Sequence, residues 1–433
     1  MPALDSFDVV VVGGGWGGLA TGALLAHRGA RVLLLESRGA CGGRASYQER
    51  DGFLLDYGIH AHRFGKAGEA AALYEALGEK LDLVTPRRGT VFHRGKHHAV
   101  RHKPYQVALS GVVSTREKAA LASALRGLAA RDPAKLWDVP LARMIPLSTG
   151  ADSRRLISAL SGFGLISEDL NTTSAGEFAA FLRKAARSRF LISFPRGGCH
   201  QHVRRLSALI ARSGEVRTGT RVRGVTVESG VVGGVDCADG RVSAGVVVLA
   251  LPAPAAARLV GEGVLADSSR EKMLKIVPTA GLTWEVGLAR PVSEADTAFC
   301  TDPLIIGAFP SNFDHLLAPP GKQLATFCMP LPLSAFDDPD GLRREASALR
   351  RKAFHMFGRL EENILWERAM KLPMIDGAVP SVSQPWPARP GLVADGVEGL
   401  FLAGDTVGVP GQGGDVAFRS ALECAPLVMD YLG

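Results

Sequence analysis

The tightest constraint on the fold lies near the N-terminus, where Phe7 to Val12 (FDVVVV) runs straight into Gly13-Gly14-Gly15-Trp16-Gly17-Gly18. The run is β-branched with little alternation, as expected of a strand buried on both faces of a parallel sheet. Gly13, Gly15 and Gly18 satisfy the pattern G-x-G-x-x-G. Residues 19–28 (LATGALLAHR) then repeat apolar positions at helical spacing, and Gly29 follows as a C-terminal stop. A second buried strand, Arg31 to Leu35, ends in Glu36, 23 residues after Gly13. Each part has a physical role in holding a dinucleotide. Gly13 permits the tight turn, Gly15 lets a pyrophosphate approach the backbone, and Gly18 lets helix and strand pack closely. The helix N-terminus favours phosphate charge, and Glu36 is placed for a ribose hydroxyl. A bare G-x-G-x-x-G is weak evidence. Strand, helix, second strand and acid in order make a ligand-free glycine turn the poorer reading.

With 433 residues the chain exceeds one ordinary core, and two or three units are expected. Its longest apolar run, Val246 to Pro254, is strand-sized, so no bilayer-spanning segment is expected. Asp5 and Asp8 stand where a secretion signal needs basic residues, which points to a cytoplasmic protein, with membrane association left open. The six cysteines (Cys41, Cys199, Cys237, Cys300, Cys328, Cys424) have no C-x-x-C or zinc spacing and read as free thiols. The net charge of +7 suits either solubility or an anionic surface. No nucleic-acid motif accompanies it, so that partner is set aside. The spacing suggests no metal site and is silent on oligomeric state.

A similar element recurs at the far end. Leu400 to Ala403 reads as a buried strand, Gly404-Asp405 ends it, and Gly411-Gln412-Gly413-Gly414 opens a helix bearing Val416, Ala417, Ser420 and Ala421 on one face. An independent second nucleotide site would need its own downstream strand and acid. Only eighteen residues follow Asp415, too few for such a unit. The two glycine loops are therefore expected to be halves of one site. Between them, Phe194-Pro195-Arg196-Gly197-Gly198 precedes a helix over Gln201 to Ser213, then strands at Val222 to Val227, Val231 to Cys237 and Val246 to Leu251.

Gly39-Ala40-Cys41-Gly42-Gly43-Arg44 and Gly58-Ile59-His60, followed by Phe64-Gly65, carry a resemblance. Together with the blocks above, they make the chain resemble the FAD-dependent amine oxidase and phytoene desaturase superfamily, with its closest motifs in the carotene desaturase-like oxidoreductases. It departs from the carotene desaturase pattern by inserting Ala61, His62 and Arg63 before the Phe. The resemblance covers residues 7–65, 191–254 and 380–425. It implies an α/β fold with a discontinuous Rossmann-like FAD-binding domain of the GR2 type (residues 1–75, 191–262 and 380–433). A substrate-binding α+β domain (76–190 and 263–379) would add a mixed sheet and a helical cap.

The resemblance further implies FAD held by Gly13, Gly15, Gly18, Glu36, Gly43, Arg44, Val222, Gly404, Asp405, Gly413, Gly414 and Val416. In that family the strand near Val222 lies over the adenine, Asp405 meets the ribityl-pyrophosphate region, and the last helix aims its N-terminus at the flavin. His60 is the expected side chain at the flavin face, for a proton or for holding an intermediate; the plainer reading is a histidine supporting the glycine loop. Cys199 and His200 occupy places near the substrate in relatives, with a buried thiol and a helix first-turn residue as the plain alternative.

Two stretches are weighed separately. Glu177 to Phe190 places Phe178, Phe181, Leu182 and Ala185 on one face and basic residues on the other. It could rest on an anionic membrane, but packing of the Phe face into the cap is preferred. Phe92 to His98, with His102 beyond, reads as a hairpin turning at Gly95 with solvated basic residues, since no carboxylate or Cys completes a ligand set. The activity implied is hydride transfer between FAD and a lipophilic, isoprenoid-like substrate, as desaturase, saturase or isomerase. Rivals are an amine oxidase or protoporphyrinogen oxidase of the same fold, and a flavin-free escort protein for prenylated GTPases. Against amine oxidation, Gln384-Pro385-Trp386-Pro387 supplies one Trp and no paired aromatic cage.

Overall fold

A computed structural model describes residues 7–100, 111–411 and 413–433; Asp5, His102 and Gln412 lie outside the described residues. The N-terminal block folds as strand β1 (Val9–Val12), helix α1 (Trp16–His27) and strand β2 (Val32–Leu35). Later segments return to the same layer: helix α2 (His200–Ile210), then strands β3 (Glu215–Arg217), β4 (Val246–Leu249) and β5 (Leu400–Leu402), then helix α3 (Asp415–Leu432). The five strands pair in parallel in the order β3-β2-β1-β4-β5. Every residue of β1, β2, β4 and β5 is buried, which explains their unbroken apolar runs. Helices α1, α2 and α3 pack together on one face, around Leu19, Leu24, Leu206 and Phe418.

Helix α1 begins at Trp16, three residues before the apolar periodicity becomes regular. Gly17 and Gly18 are poor helix formers, but closeness forces them: a Cβ on Gly17 would lie 2.9 Å from Gly404 Cα, and one on Gly18 would lie 1.9 Å from the Gly13 carbonyl oxygen. Contact outweighs propensity here. The same contact ties the two glycine loops together.

A seven-stranded mixed sheet forms a second layer, in the order Ile364–Leu372, Ala280–Leu288, Gln323–Leu331, Leu304–Ala308, Thr297–Thr301, Gly89–His93, Lys96–Val100. Its pairings are antiparallel except for Thr297–Thr301 with Gly89–His93. Helices Thr115–Ala130, Ala151–Leu165 and Ala175–Arg187 cover one end of it. In the last of these, Phe178, Phe181 and Ala185 are buried in the cap core, so its apolar face is occupied within the fold. The hairpin at Gly95 is present, with Arg94 and Gly95 both at positive φ. One feature differs from expectation: His93 is buried rather than solvated, because its Nδ1 bonds Thr301 on the neighbouring strand. All six cysteines are free and buried. Among the described residues no helix is long and apolar enough to cross a membrane.

Candidate active site

Two cavities meet where the layers touch. The smaller, about 470 Å³, runs from Glu36 and Val222 past Gly13 and Gly15 to Gly404, Asp405 and Gly414. The larger, about 660 Å³, continues beyond it, and the two share Trp16, Gly43, Arg44, His60, Asp376 and Gly414 as lining. Of the residues expected to hold FAD, Gly13, Gly15, Glu36, Gly43, Arg44, Val222, Gly404, Asp405 and Gly414 line one elongated space from the end of β2 to the start of α3, whereas Gly18, Gly413 and Val416 stand outside its lining.

The glycine loop leaves room at one place only. Gly13 has φ +106°, and a Cβ there would strike the Ala250 carbonyl oxygen at 2.6 Å. Gly15, by contrast, is extended (φ −73°, ψ 179°), and a Cβ on it would meet nothing within 4 Å. The backbone at Gly15 faces open space, as a pyrophosphate needs. Glu36 is buried, and its carboxylate accepts from the backbone N–H groups of Gly14 and Arg38, both at 2.8 Å. Arg44 Nη2 donates to both Asp405 oxygens, at 2.8 and 2.7 Å, and its Nη1 is buried with no partner. A buried guanidinium nitrogen without an acceptor is expensive, and an anion bound at this point would satisfy it. Gly404 N donates to Ser420 Oγ at 2.8 Å, locking the C-terminal loop onto α3. Gly413 has φ +61°, and Gly414 and buried Val416 flank the helix start.

His60 lies at the junction of the cavities, edge-on to Trp16 with centroids 5.6 Å apart. Its Nδ1 is buried without a partner. Burial, with the nearby Arg44 charge, pushes its pKa down to about 4, so it is neutral at pH 7. Cys199 sits apart: it is fully buried, lines neither large cavity, and its N–H donates to Asp56 Oδ1 at 3.0 Å. Asp56, His60 and Cys199 bring one ligand atom each within 4.8 Å. Burial and the adjacent Asp56 raise the Cys199 thiol well above its ordinary range, so the set offers no free thiolate. His200 opens α2 and packs at a tilt against Tyr47, with centroids 5.0 Å apart, and lines neither large cavity.

Behind Trp16 runs a polar chain that sequence reasoning missed. Tyr74 Oη lies 2.8 Å from His202 Nδ1, His202 Nε2 lies 2.7 Å from His62 Nε2, and His62 Nδ1 lies 3.3 Å from Asp415 Oδ1. Asp415 Oδ2 accepts from Arg63 N at 2.7 Å. All of these side chains are buried. Burial and the neighbouring His62 hold His202 well below its usual pKa, hence neutral. One assignment satisfies every site: Tyr74 donates to His202, His202 to His62, and His62 to the Asp415 carboxylate. Only the unusual insertion of Ala61-His62-Arg63 hinted at it in the sequence. Replacing His202 with Leu strands both neighbours and is expected to cost about 2–4 kcal/mol, whereas Tyr74→Phe should cost about 1 kcal/mol. Urea unfolding of the two variants measures the difference; equal, negligible losses would refute the chain.

Comparison with known proteins agrees with this geometry. A family model described as flavin containing amine oxidoreductase matches residues 16–429. The chain is similar to a chloroplastic prolycopene isomerase of Arabidopsis thaliana, 25% identical over 271 residues, 54% of this chain and 46% of that protein. It thus spans about half the length of the prolycopene isomerases it matches first. It is also similar to a phytoene dehydrogenase of Streptomyces griseus, 26% identical over 376 residues, 75% of this chain and 73% of that one. Among solved structures, a putrescine oxidase double mutant redesigned in its cofactor binding superposes with TM-score 0.75 at 17% identity, covering 98% of this chain and 99% of that one, which is a likeness of fold. The open backbone at Gly15, the unsatisfied Arg44 nitrogen and the continuous cavity suit the cofactor of such enzymes, FAD. The chain belongs to the flavin containing amine oxidoreductase family, with FAD as its cofactor.

Proposed function

We propose that the protein desaturates, saturates or isomerises a lipophilic, isoprenoid-like polyene. The observation that carries this reading is the larger cavity, whose lining includes Phe163, Ile166, Ile192, Phe194, Phe299 and Ile306 and which shares part of its lining with the FAD cavity. When bound, FAD supplies hydride acceptance or donation at its N5. The chain supplies the rest. The apolar walls bind and align a hydrocarbon and keep water out. Neutral His60, with its unpartnered Nδ1, holds or moves a proton at the junction of the cavities. Glu36 and Arg44 anchor the ends of the nucleotide. In this reading residues 76–190 and 263–379 form the substrate domain, and the other segments form the FAD domain. The likeness to named carotenoid enzymes supports the substrate class.

Amine oxidation is the second reading, favoured by the fold shared with putrescine oxidase. The placement of Trp386 weighs against it. Trp386 lines neither large cavity and instead packs edge-on against Trp137, with centroids 5.6 Å apart. A flavin-free escort role leaves the Arg44 nitrogen unexplained. The variant Ile306→Lys introduces a charge into the apolar wall far from the nucleotide. It is expected to keep full flavin content and lose at least about a hundredfold in kcat/KM on a polyene, equivalent to about 2.7 kcal/mol. Unchanged polyene turnover in this variant would rule the cavity out as the substrate site.

A further inference from the structure

At the N-terminus of α3, two buried or cavity-facing charged side chains have no hydrogen-bond partners among the described residues. Arg63 is 7% exposed, its Nε is buried and unpartnered, and its guanidinium forms no ion pair among the described residues. It lies over the Phe163 ring, 5.8 Å from the centroid, in the wall of the larger cavity. Asp376 lines both cavities, and among the described residues its one hydrogen bond is from the backbone N–H, to Thr279 Oγ1 at 3.0 Å. The other charges nearby are committed. Asp405 holds Arg44, and Asp415 holds His62 and the Arg63 backbone. Arg63 and Asp376 converge on one spot: an atom added as Cβ on Gly413 would lie 2.8 Å from Asp376 Oδ2 and 3.3 Å from an Arg63 terminal nitrogen. Neither charge is stable unbonded in such surroundings. Together they present donors beside acceptors at the entrance to a helix N-terminus, on the boundary between the FAD and substrate cavities.

We infer that Arg63 and Asp376 read the pyrimidine edge of the flavin. That edge offers carbonyl acceptors on either side of the N3–H donor, the complement of a guanidinium beside a carboxylate. Arg63 donates to a carbonyl oxygen, and Asp376 accepts from N3–H. Asp415, fixed by the His62–His202–Tyr74 chain, holds the Arg63 backbone in register. The inference rests on FAD as the cofactor and is independent of the substrate.

The test is titration of the apoprotein with FAD and with FAD methylated at N3, which cannot donate. Wild type should bind FAD at least about tenfold more tightly, the worth of a hydrogen bond to a charged group. Asp376→Ala, which removes the carboxylate and makes room for the methyl, should bind both flavins equally. Arg63→Met should weaken both flavins about tenfold, with part of the loss recovered in Arg63→Lys. Equal affinities in wild type, discrimination that persists in Asp376→Ala, or wild-type binding by Arg63→Met would each overturn the assignment. The wild-type comparison needs no variant to fold. Normal FAD binding without N3 discrimination would sink this inference and leave the proposed reaction untouched.

Discussion

Replacing Gly15 with Val is expected to yield a folded, colourless protein. The expectation has two independent parts. The Gly15 backbone is extended, a conformation any residue adopts, and a Cβ there meets no protein atom within 4 Å. Stability should change by less than about 1 kcal/mol. The space a valine fills is the space a pyrophosphate needs, so flavin content should fall to a few per cent or less of wild type. Gly18→Val separates steric from ligand effects, because its Cβ would lie 1.9 Å from the Gly13 carbonyl oxygen. That variant should fail to fold. Absorbance after gel filtration measures the first outcome and circular dichroism the second; a yellow Gly15→Val protein would refute the pyrophosphate assignment.

A comparably large effect on stability is expected from Arg389→Met. Arg389 is 3% exposed and bonds Glu177, 1% exposed, at 2.8 Å; Glu177 also accepts from Trp386 N at 2.8 Å. The pair ties helix Ala175–Arg187 of the cap to the segment leading into β5. Removing the arginine leaves a buried carboxylate with only a backbone donor, and burial already raises the Glu177 pKa. Unfolding free energy should drop by about 3–5 kcal/mol. The double variant Glu177→Met/Arg389→Met removes both charges and should recover most of that loss. A double variant as unstable as the single one would show that the cost is packing rather than stranded charge.

The parts of the molecule legible in its sequence are those with local signatures. The strand–glycine loop–helix unit and Glu36 could be placed because turn, helix and ribose acid have fixed spacings along the chain. The pairing of the two glycine loops shows in the structure as the close approach of Gly17 to Gly404. Helix α1 starts three residues before its apolar periodicity; propensity argues against Gly17 and Gly18, whereas a distant contact with Gly404 demands Gly17. The parallel pairing of Thr297–Thr301 with Gly89–His93 joins segments some two hundred residues apart, and no period in either strand encodes its partner. The same holds for His62 with His202, separated by 140 positions, and for Arg63 beside Asp376. Polar residues inside an apolar core look like surface residues until the fold brings their partners to them.

The central claim, a flavin facing an apolar substrate, is tested most directly by the visible spectrum of purified protein under anaerobic conditions, before and after addition of isoprenoid polyenes and of simple amines. The expected result is a yellow protein whose flavin band bleaches with a polyene (desaturation), returns when one is added to prereduced protein (saturation), or stays unchanged while the prereduced protein isomerises the polyene, and in every case does not respond to amines. Bleaching by an amine with no response to any isoprenoid would contradict it.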